Sequence, residues 1–173
     1  AHENVICSSG EYIVVNSKFI STDARVRKHS NACLSPAGKG DVLMVMSDVP
    51  NGRAIAKCFL VNSNNLYTVN QRICNLKPVD INGVLLYYTL NRNPYYLSFD
   101  DGVKQTNLRK DDVLSCPLPL PPTKAEQEAL LSSLNSYLGI MKHYNSFSIR
   151  KKMIFKNKTG LSDYWFNHLY LSG

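Results

Sequence analysis

A chain of 173 residues, 44% of them hydrophobic and with a net charge of +7, is long enough for one domain with a real core plus an appendage. It has no run of about 18 apolar residues to span a membrane, and no basic-then-apolar N-terminal pattern of a signal peptide. Its five cysteines form an odd set without a C-x-x-C pair, which points to free thiols in a reducing cytosol rather than to a disulfide framework or a zinc site.

The start at Ala1, without Met, points to a processed or excised boundary. The first 116 residues read mostly as strands and loops. Glu11–Asn16 and Gly40–Met46 are β-branched, apolar runs. Arg53–Val61 reads as another strand, entered through the turn Pro50-Asn-Gly52, because Asn and Gly tolerate positive φ. Asn62–Asn65 is a polar turn, Leu66–Asn70 and Ile73–Lys77 are further strands, and Pro78 stops the last. In residues 80–96 the pattern breaks: Val84, Leu85, Tyr87, Tyr88 and Leu90 fit a short helix that ends before Pro94 and packs on the sheet. A basic, amide-rich loop (Lys104, Gln105, Asn107, Arg109, Lys110) then runs into an apolar Val113-Leu114 and a proline cluster, Pro117 to Pro122. Each proline locks φ and keeps its predecessor extended, so the chain here stays straight before a helix begins.

From Lys124 the period becomes helical. Thr123-x-x-Glu126 is a capping box. Gln127, Leu130, Leu134, Tyr137, Met141 and Tyr144 alternate steps of three and four, with Leu131 and Leu138 beside them. Gly139 costs roughly 1 kcal/mol against Ala inside a helix, so this helix needs a partner surface. Two arrangements fit: a coiled-coil arm held off the body by the prolines, or an amphipathic helix folded onto its own domain. The reading is an α+β protein: a β-rich mixed globular domain over residues 1–122, a coiled-coil-forming helix over 123–156, and an unassigned tail over 157–173. The tail carries two apolar clusters, Tyr164–Phe166 and Leu169–Leu171.

The charge is unevenly spread. Arg25, Arg27, Lys28, Lys39, Arg53 and Lys57 share their stretch with only Asp41 and Asp48. No acid stands between Glu128 and Asp163, where Lys142, Arg150, Lys151, Lys152, Lys156 and Lys158 lie. Either cluster is a solvated face or a surface that contacts phosphate.

Catalytic patterns are missing. Asp100-Asp101-Gly-Val-Lys104 has the residue types of a metal-dependent nuclease, but its Lys comes three positions after the second acid rather than two, and it reads as a turn. Asn93-Pro-Tyr-Tyr96 is similar to the Asn-Pro-Pro-Tyr motif of amino-methyltransferases, but it lacks the second proline. No glycine-rich loop offers a site for S-adenosylmethionine, and Ala37–Gly40 is not a phosphate loop. The histidines at 2, 29, 143 and 168 form no nucleophilic arrangement, although His29 stands among Arg25, Arg27, Lys28 and Asn31.

Six segments occur in order: Lys39-Gly-Asp-Val-Leu43, Asn51-Gly-Arg-Ala54, Val69-Asn-Gln-Arg-Ile73, Leu86-Tyr-Tyr88, Gln105-x-Asn-Leu108 and Leu118-Pro-Leu-Pro-Pro-x-x-x-Glu-Gln127. Singly they are common; as an ordered set covering roughly residues 8–150 they are specific. The set resembles a target recognition domain of the specificity (S) subunit of type I restriction-modification systems, followed by a conserved-region helix. The resemblance implies a subunit without a catalytic site, in the cytoplasm of a bacterium or archaeon. Its recognition domain reads one half of a split sequence in double-stranded DNA, and its helices form a spacer. Methyltransferase (M) and restriction (R) subunits dock on it, and S-adenosylmethionine, ATP and magnesium belong to those partners, so this chain holds no cofactor or metal. A full S subunit carries two recognition domains and two conserved regions, whereas this chain has one of each. A fragment satisfies that, and so does a half-size subunit that forms an antiparallel homodimer through Leu130, Leu134, Tyr137, Leu138, Met141 and Tyr144.

Base contacts specify while phosphate contacts position. The base-reading candidates are Arg25, Arg27, Lys28, His29 and Asn31 in one loop, and Lys104, Gln105, Asn107 and Arg109 in another. Lys18, Lys39, Arg53 and Arg72 are the phosphate candidates, whereas Asn70 and Gln71 are read as structural. Gln105 and Asn107 have an equal alternative as braces for their own loop. Two other functions stay open: the recognition part of a fused restriction-methylation enzyme, and a basic scaffold without DNA specificity.

Overall fold

The computed structural model describes residues 6, 7 and 9–140. It divides into two units at Gln127 and Glu128. The first strands are β1 (Ile6–Cys7) and β2 (Tyr12–Val15), followed by the short helix α1 (Ser17–Ser21), β3 (His29–Ser30), β4 (Pro36–Ala37) and β5 (Val42–Val45). Next come β6 (Ser47–Asp48), β7 (Cys58–Leu60), β8 (Tyr67–Val69) and β9 (Ile73–Leu76). Helices α2 (Gly83–Leu90) and α3 (Pro94–Leu97), strand β10 (Thr106–Asn107) and helix α4 (Lys110–Leu114) follow. The last described element is α5, over 124–140.

Among the described residues three sheets form: a five-stranded one in the order β1-β3-β2-β8-β4, a three-stranded one in the order β7-β5-β9, and the pair β10-β6. Strand β2 runs parallel to β8, with Val15 opposite Val69, and the other pairs are antiparallel. Strand β5 is the middle layer, and all four of its residues are completely buried. A strand alternates its side chains, so one strand serves two cores. Leu43 and Val45 join Ile13, Val15, Phe19, Ile20, Tyr67 and Val69 in the first core. Val42 and Met44 join Ile55, Leu86, Leu90, Tyr96 and Val113 in the second. The continuous apolar run at 42–45 follows from burial on both faces. In the first core Phe19, Phe59 and Tyr67 meet edge to face at 5.0–6.2 Å between ring centres.

The expected helix in 80–96 forms as α2, capped by the Asn82 side chain, and it packs on β7 and β5. The second helix, α3, has Pro94 in its first turn and the Asn93 side chain as its cap. Tyr96 is wholly buried, and its hydroxyl donates to the Val113 carbonyl at 3.0 Å. The Asn93 amide accepts from Tyr95 N and donates to Thr89 O, so Asn93–Tyr96 is a helix start with its polar groups engaged internally.

One expected strand is shorter than its apolar pattern. Of Arg53–Val61 only Cys58–Leu60 is strand. Ala56 sits at φ 53°, which breaks the extended run, and Asn91 and Arg92 replace ladder partners: Cys58 N donates to Asn91 Oδ1, and Arg92 Nη1 donates to Ile55 O. The capping box at Thr123 is present, with Glu126 N donating to Thr123 Oγ1 and Thr123 N to Glu126 Oε2. Along α5 the half-buried positions are Gln127, Leu131, Leu134 and Leu138, while Leu130 and Tyr137 are exposed. Met141 and Tyr144 lie outside the described residues, as do 157–173.

Candidate nucleic-acid interface

The segment Asp48–Lys57 organises the polar loops. Pro50 and Asn51 occupy the middle of a turn closed by Gly52 N to Val49 O at 2.9 Å, with Asn51 at φ 54°; proline then asparagine at positive φ suits a type II turn. The Asp48 carboxylate accepts from three backbone N–H groups: Val49 at 2.9 Å, Ala54 at 2.6 Å and Ile55 at 3.0 Å. A side chain on Gly52 would run into that carboxylate, so only glycine lets it reach its partners. Arg53 is exposed in the loop thus held.

The second polar loop attaches to the same segment. Asn51 Nδ2 donates to Gly102 O at 2.9 Å, and β10 pairs with β6, so Thr106 stands opposite Asp48. Within the loop Asp100 accepts from Gly102 N and from the Thr106 hydroxyl. Asp101 accepts from Val103 N and Lys104 N at 2.9 Å each, and these amides hold its carboxyl below the ordinary range. The Asp100-Asp101-Gly102 turn is therefore a turn in fact, with Gly102 at φ 70°. Lys104, Gln105, Asn107 and Arg109 are all exposed on it. Gln105 Nε2 donates to Asn107 Oδ1 at 3.1 Å. Arg109 precedes α4 and gives its N–H to Asp112, and the residue is exposed.

Arg72 joins this group through Met46, whose N–H donates to Arg72 O and whose carbonyl accepts from Leu108 N. Two such spacings put the backbones of 72 and 108 roughly 10 Å apart. The Asn70 side chain accepts from Arg72 N and its own N–H donates to Val15 O; Gln71 is exposed beside it. Lys18, exposed on α1, leaves the same end of β2 that Asn70 adjoins.

The first polar loop reaches Asp48–Lys57 from another side. Lys57 pairs with Asp23 at 2.8 Å and donates to Ser21 O. That ion pair lowers the Asp23 carboxyl and makes Lys57 a structural cation. Arg25 Nε donates to Thr22 O and Arg27 Nε to Ala24 O, which aims both exposed guanidinium groups by their own loop. Lys28 and Asn31 are exposed as well. His29 is different: it lies in β3, opposite Cys7 and Ile13, and is half-buried, so a strand rather than a loop carries it.

Lys39 is not brought to this surface. It precedes β5, while Met46 and β6 follow it, so Lys39 and the Asp48 loops lie at opposite ends of that strand. Its N–H donates to the Asn64 side chain, and it neighbours Asn62 and Asn82 rather than the basic loops. The braces that sequence reasoning did not single out are Asp48 and Thr106; Asn51 reads there only as a turn and motif residue. Asn-Gly announces the turn, but nothing local announces which carboxylate closes it.

The electrostatics follow from this arrangement. Asp48, Asp100, Asp101 and Asp112 turn their carboxylates onto backbone N–H groups, whereas Arg53, Arg72, Lys104 and Arg109 have no carboxylate partner among the described residues. The exposed surface presents these cations and amides together with the exposed carboxylates of Asp101 and Asp111. Among the described residues no group of three His, Cys, Asp or Glu could hold a metal ion, and no helix is long and apolar enough to cross a membrane.

Comparison with the curated proteins gave no match. Residues 2–155 match the family model of the type I restriction modification DNA specificity domain, a module that recognises DNA and is not catalytic. That match spans most of the chain, and the chain belongs to this family, as a specificity subunit with one target recognition domain.

Proposed function

We propose that this chain reads one half of a bipartite DNA site for a restriction-modification complex, docks the methyltransferase and restriction subunits, and makes and breaks no bonds itself. The observation that carries the reading is the attachment of two polar loops, at 22–31 and 102–109, to one segment, Asp48–Lys57. Arg53, Arg72, Lys104 and Arg109 stand around this segment, where phosphates bind by charge and base edges by side-chain donors and acceptors. The C-terminal helix acts as spacer and docking arm, with Leu134 and Leu138 on its half-buried stripe. Pairing of two copies through this helix restores the two-fold symmetry that a divided site requires. S-adenosylmethionine, ATP and magnesium act on the partner subunits, in the cytoplasm.

Co-purification with the neighbouring M subunit, followed by mapping of methylated adenines, tests this. The expected result is methylation confined to one recurrent sequence that contains a fixed half-site. Methylation without sequence preference, or methyl transfer by the chain alone, would overturn the reading.

A further inference from the structure

We infer that Gln105 reads an adenine in the major groove, and that Asn107 is the positioning residue that orients it; this rests on the DNA-reading function proposed above. The backbone around Gln105 is held at both ends. Asp101 takes the N–H groups of Val103 and Lys104, Asp100 takes those of Gly102 and the Thr106 hydroxyl, and β10 is paired to β6. Asn51 ties the loop to its neighbour through Gly102 O. The side chain therefore stands on a fixed platform while remaining exposed.

Its amide is oriented too. One Nε2–H is given to Asn107 Oδ1 at 3.1 Å. Turning the amide over would set two oxygens against each other, so Asn107 selects one orientation. Asn107 in turn points its Nδ2 back at Gln105 O, at 3.5 Å, and is committed to the loop. Gln105 keeps one N–H and the Oε1 acceptor. Adenine presents the complement, an N7 acceptor beside an N6–H donor. Guanine presents two acceptors, N7 and O6, and its O6 would face Oε1 without a proton between them. Lys104 and Arg109 flank the amide with charge suited to phosphates.

The test uses the full chain and a duplex that it selects from a random library. Each adenine is replaced in turn by 7-deazaadenine, which keeps base pairing and removes only the N7 acceptor. At one position the wild type should lose about five- to tenfold in affinity, which is one bond of a bidentate pair. Gln105→Ala should bind the unmodified site more weakly and be indifferent to 7-deazaadenine there. Asn107→Ala should lose discrimination between adenine and guanine at that position, and Asn107→Asp, which keeps the acceptor, should restore it. Circular dichroism checks that each variant is folded. Wild-type indifference at every adenine, or undiminished sensitivity in Gln105→Ala, overturns the proposal and leaves the specificity function standing. Failure of the chain to select any sequence overturns both.

Discussion

Removing the Asp48 carboxylate should damage the candidate interface more than removing any one of its cations. In Asp48→Ala the N–H groups of Ala54 and Ile55 lose their acceptor while their residues stay 8% and 1% exposed. A buried donor left unsatisfied costs about 1–3 kcal/mol, so the pair gives roughly 2–6 kcal/mol. Val49 is exposed, water replaces the carboxylate at its N–H, and no cost is added for it. Against a typical domain stability of about 5–15 kcal/mol this leaves a folded but weakened protein. Ala54 N and Ile55 N share one oxygen, Oδ2, so Asp48→Asn can keep its oxygen there and turn its NH₂ to the exposed Val49 N–H, and only a small part of the loss is expected. Urea unfolding measures both variants, with the midpoint falling and the slope unchanged. Because Asp48 also stands opposite Thr106, duplex affinity should fall with stability even though Asp48 presents no positive charge. An Asp48→Ala protein within about 0.5 kcal/mol of wild type, with DNA affinity intact, would refute the idea that this carboxylate holds the loops.

The phosphate candidates separate by position: Arg53→Ala or Arg72→Ala should lower the salt slope of duplex binding by about 1, while Lys39→Ala, at the far end of β5, should leave it unchanged. Titration of binding against salt checks the contrast. Arg27→Ala should lower specific affinity by about 1–3 kcal/mol, and a uniform loss over all sequence variants would make it a phosphate contact instead. Leu134→Asp should weaken self-association or M docking while the body stays folded, and light scattering together with M co-purification reads both. Burial raises the Cys58 thiol far above its ordinary value, so it should resist alkylation at pH 8 until urea unfolds the domain, as mass spectrometry of labelled peptides would report. The Asp23–Lys57 pair lowers the folded pKa of Asp23, so its stabilisation is present above the ordinary carboxylate value and is lost as pH falls through the lowered one. For an exposed pair that change should be about 1 kcal/mol or less, visible as a difference between wild type and Asp23→Asn across that acid range.

The parts of the fold written locally were legible. The β-branched runs around Ile13, Leu43, Thr68 and Cys74 are strands, the apolar stretch from Val84 to Leu90 is a helix, and Thr123 with Glu126 caps the last helix. The illegible parts depend on partners far along the chain. Two-residue strands such as β6 and β10 have no period to detect, because the pairing that creates them spans residues 48 and 106. Arg53–Ile55 looks extended by composition, but Asp48 and Arg92 fold it back. Helix α4 is one turn long, and its charged start at Lys110-Asp-Asp112 reads as loop. The basic and amide residues of the candidate interface were visible as types. Their division into a shared surface and an isolated Lys39 needed the direction of β5, which only the fold supplies.

On the DNA-reading proposal, the acids of this surface bear on how a region of nearly balanced composition meets a polyanion. Between Asp100 and Asp112 four carboxylates accompany Lys104, Arg109 and Lys110, and simple counting predicts no positive field there. Hydrogen bonding changes the sum that a duplex meets. Asp100, Asp101 and Asp112 face backbone N–H groups, whose dipoles offset part of each charge, while the lysines and arginines extend outward on long stems. Asp111 is the exception, exposed on the first turn of α4 beside Arg109 and Lys110. The same carboxylates therefore brace the loop while backbone N–H dipoles offset part of their charge, so on the DNA-reading proposal the stability of this surface and its predicted affinity for a duplex have a common structural source.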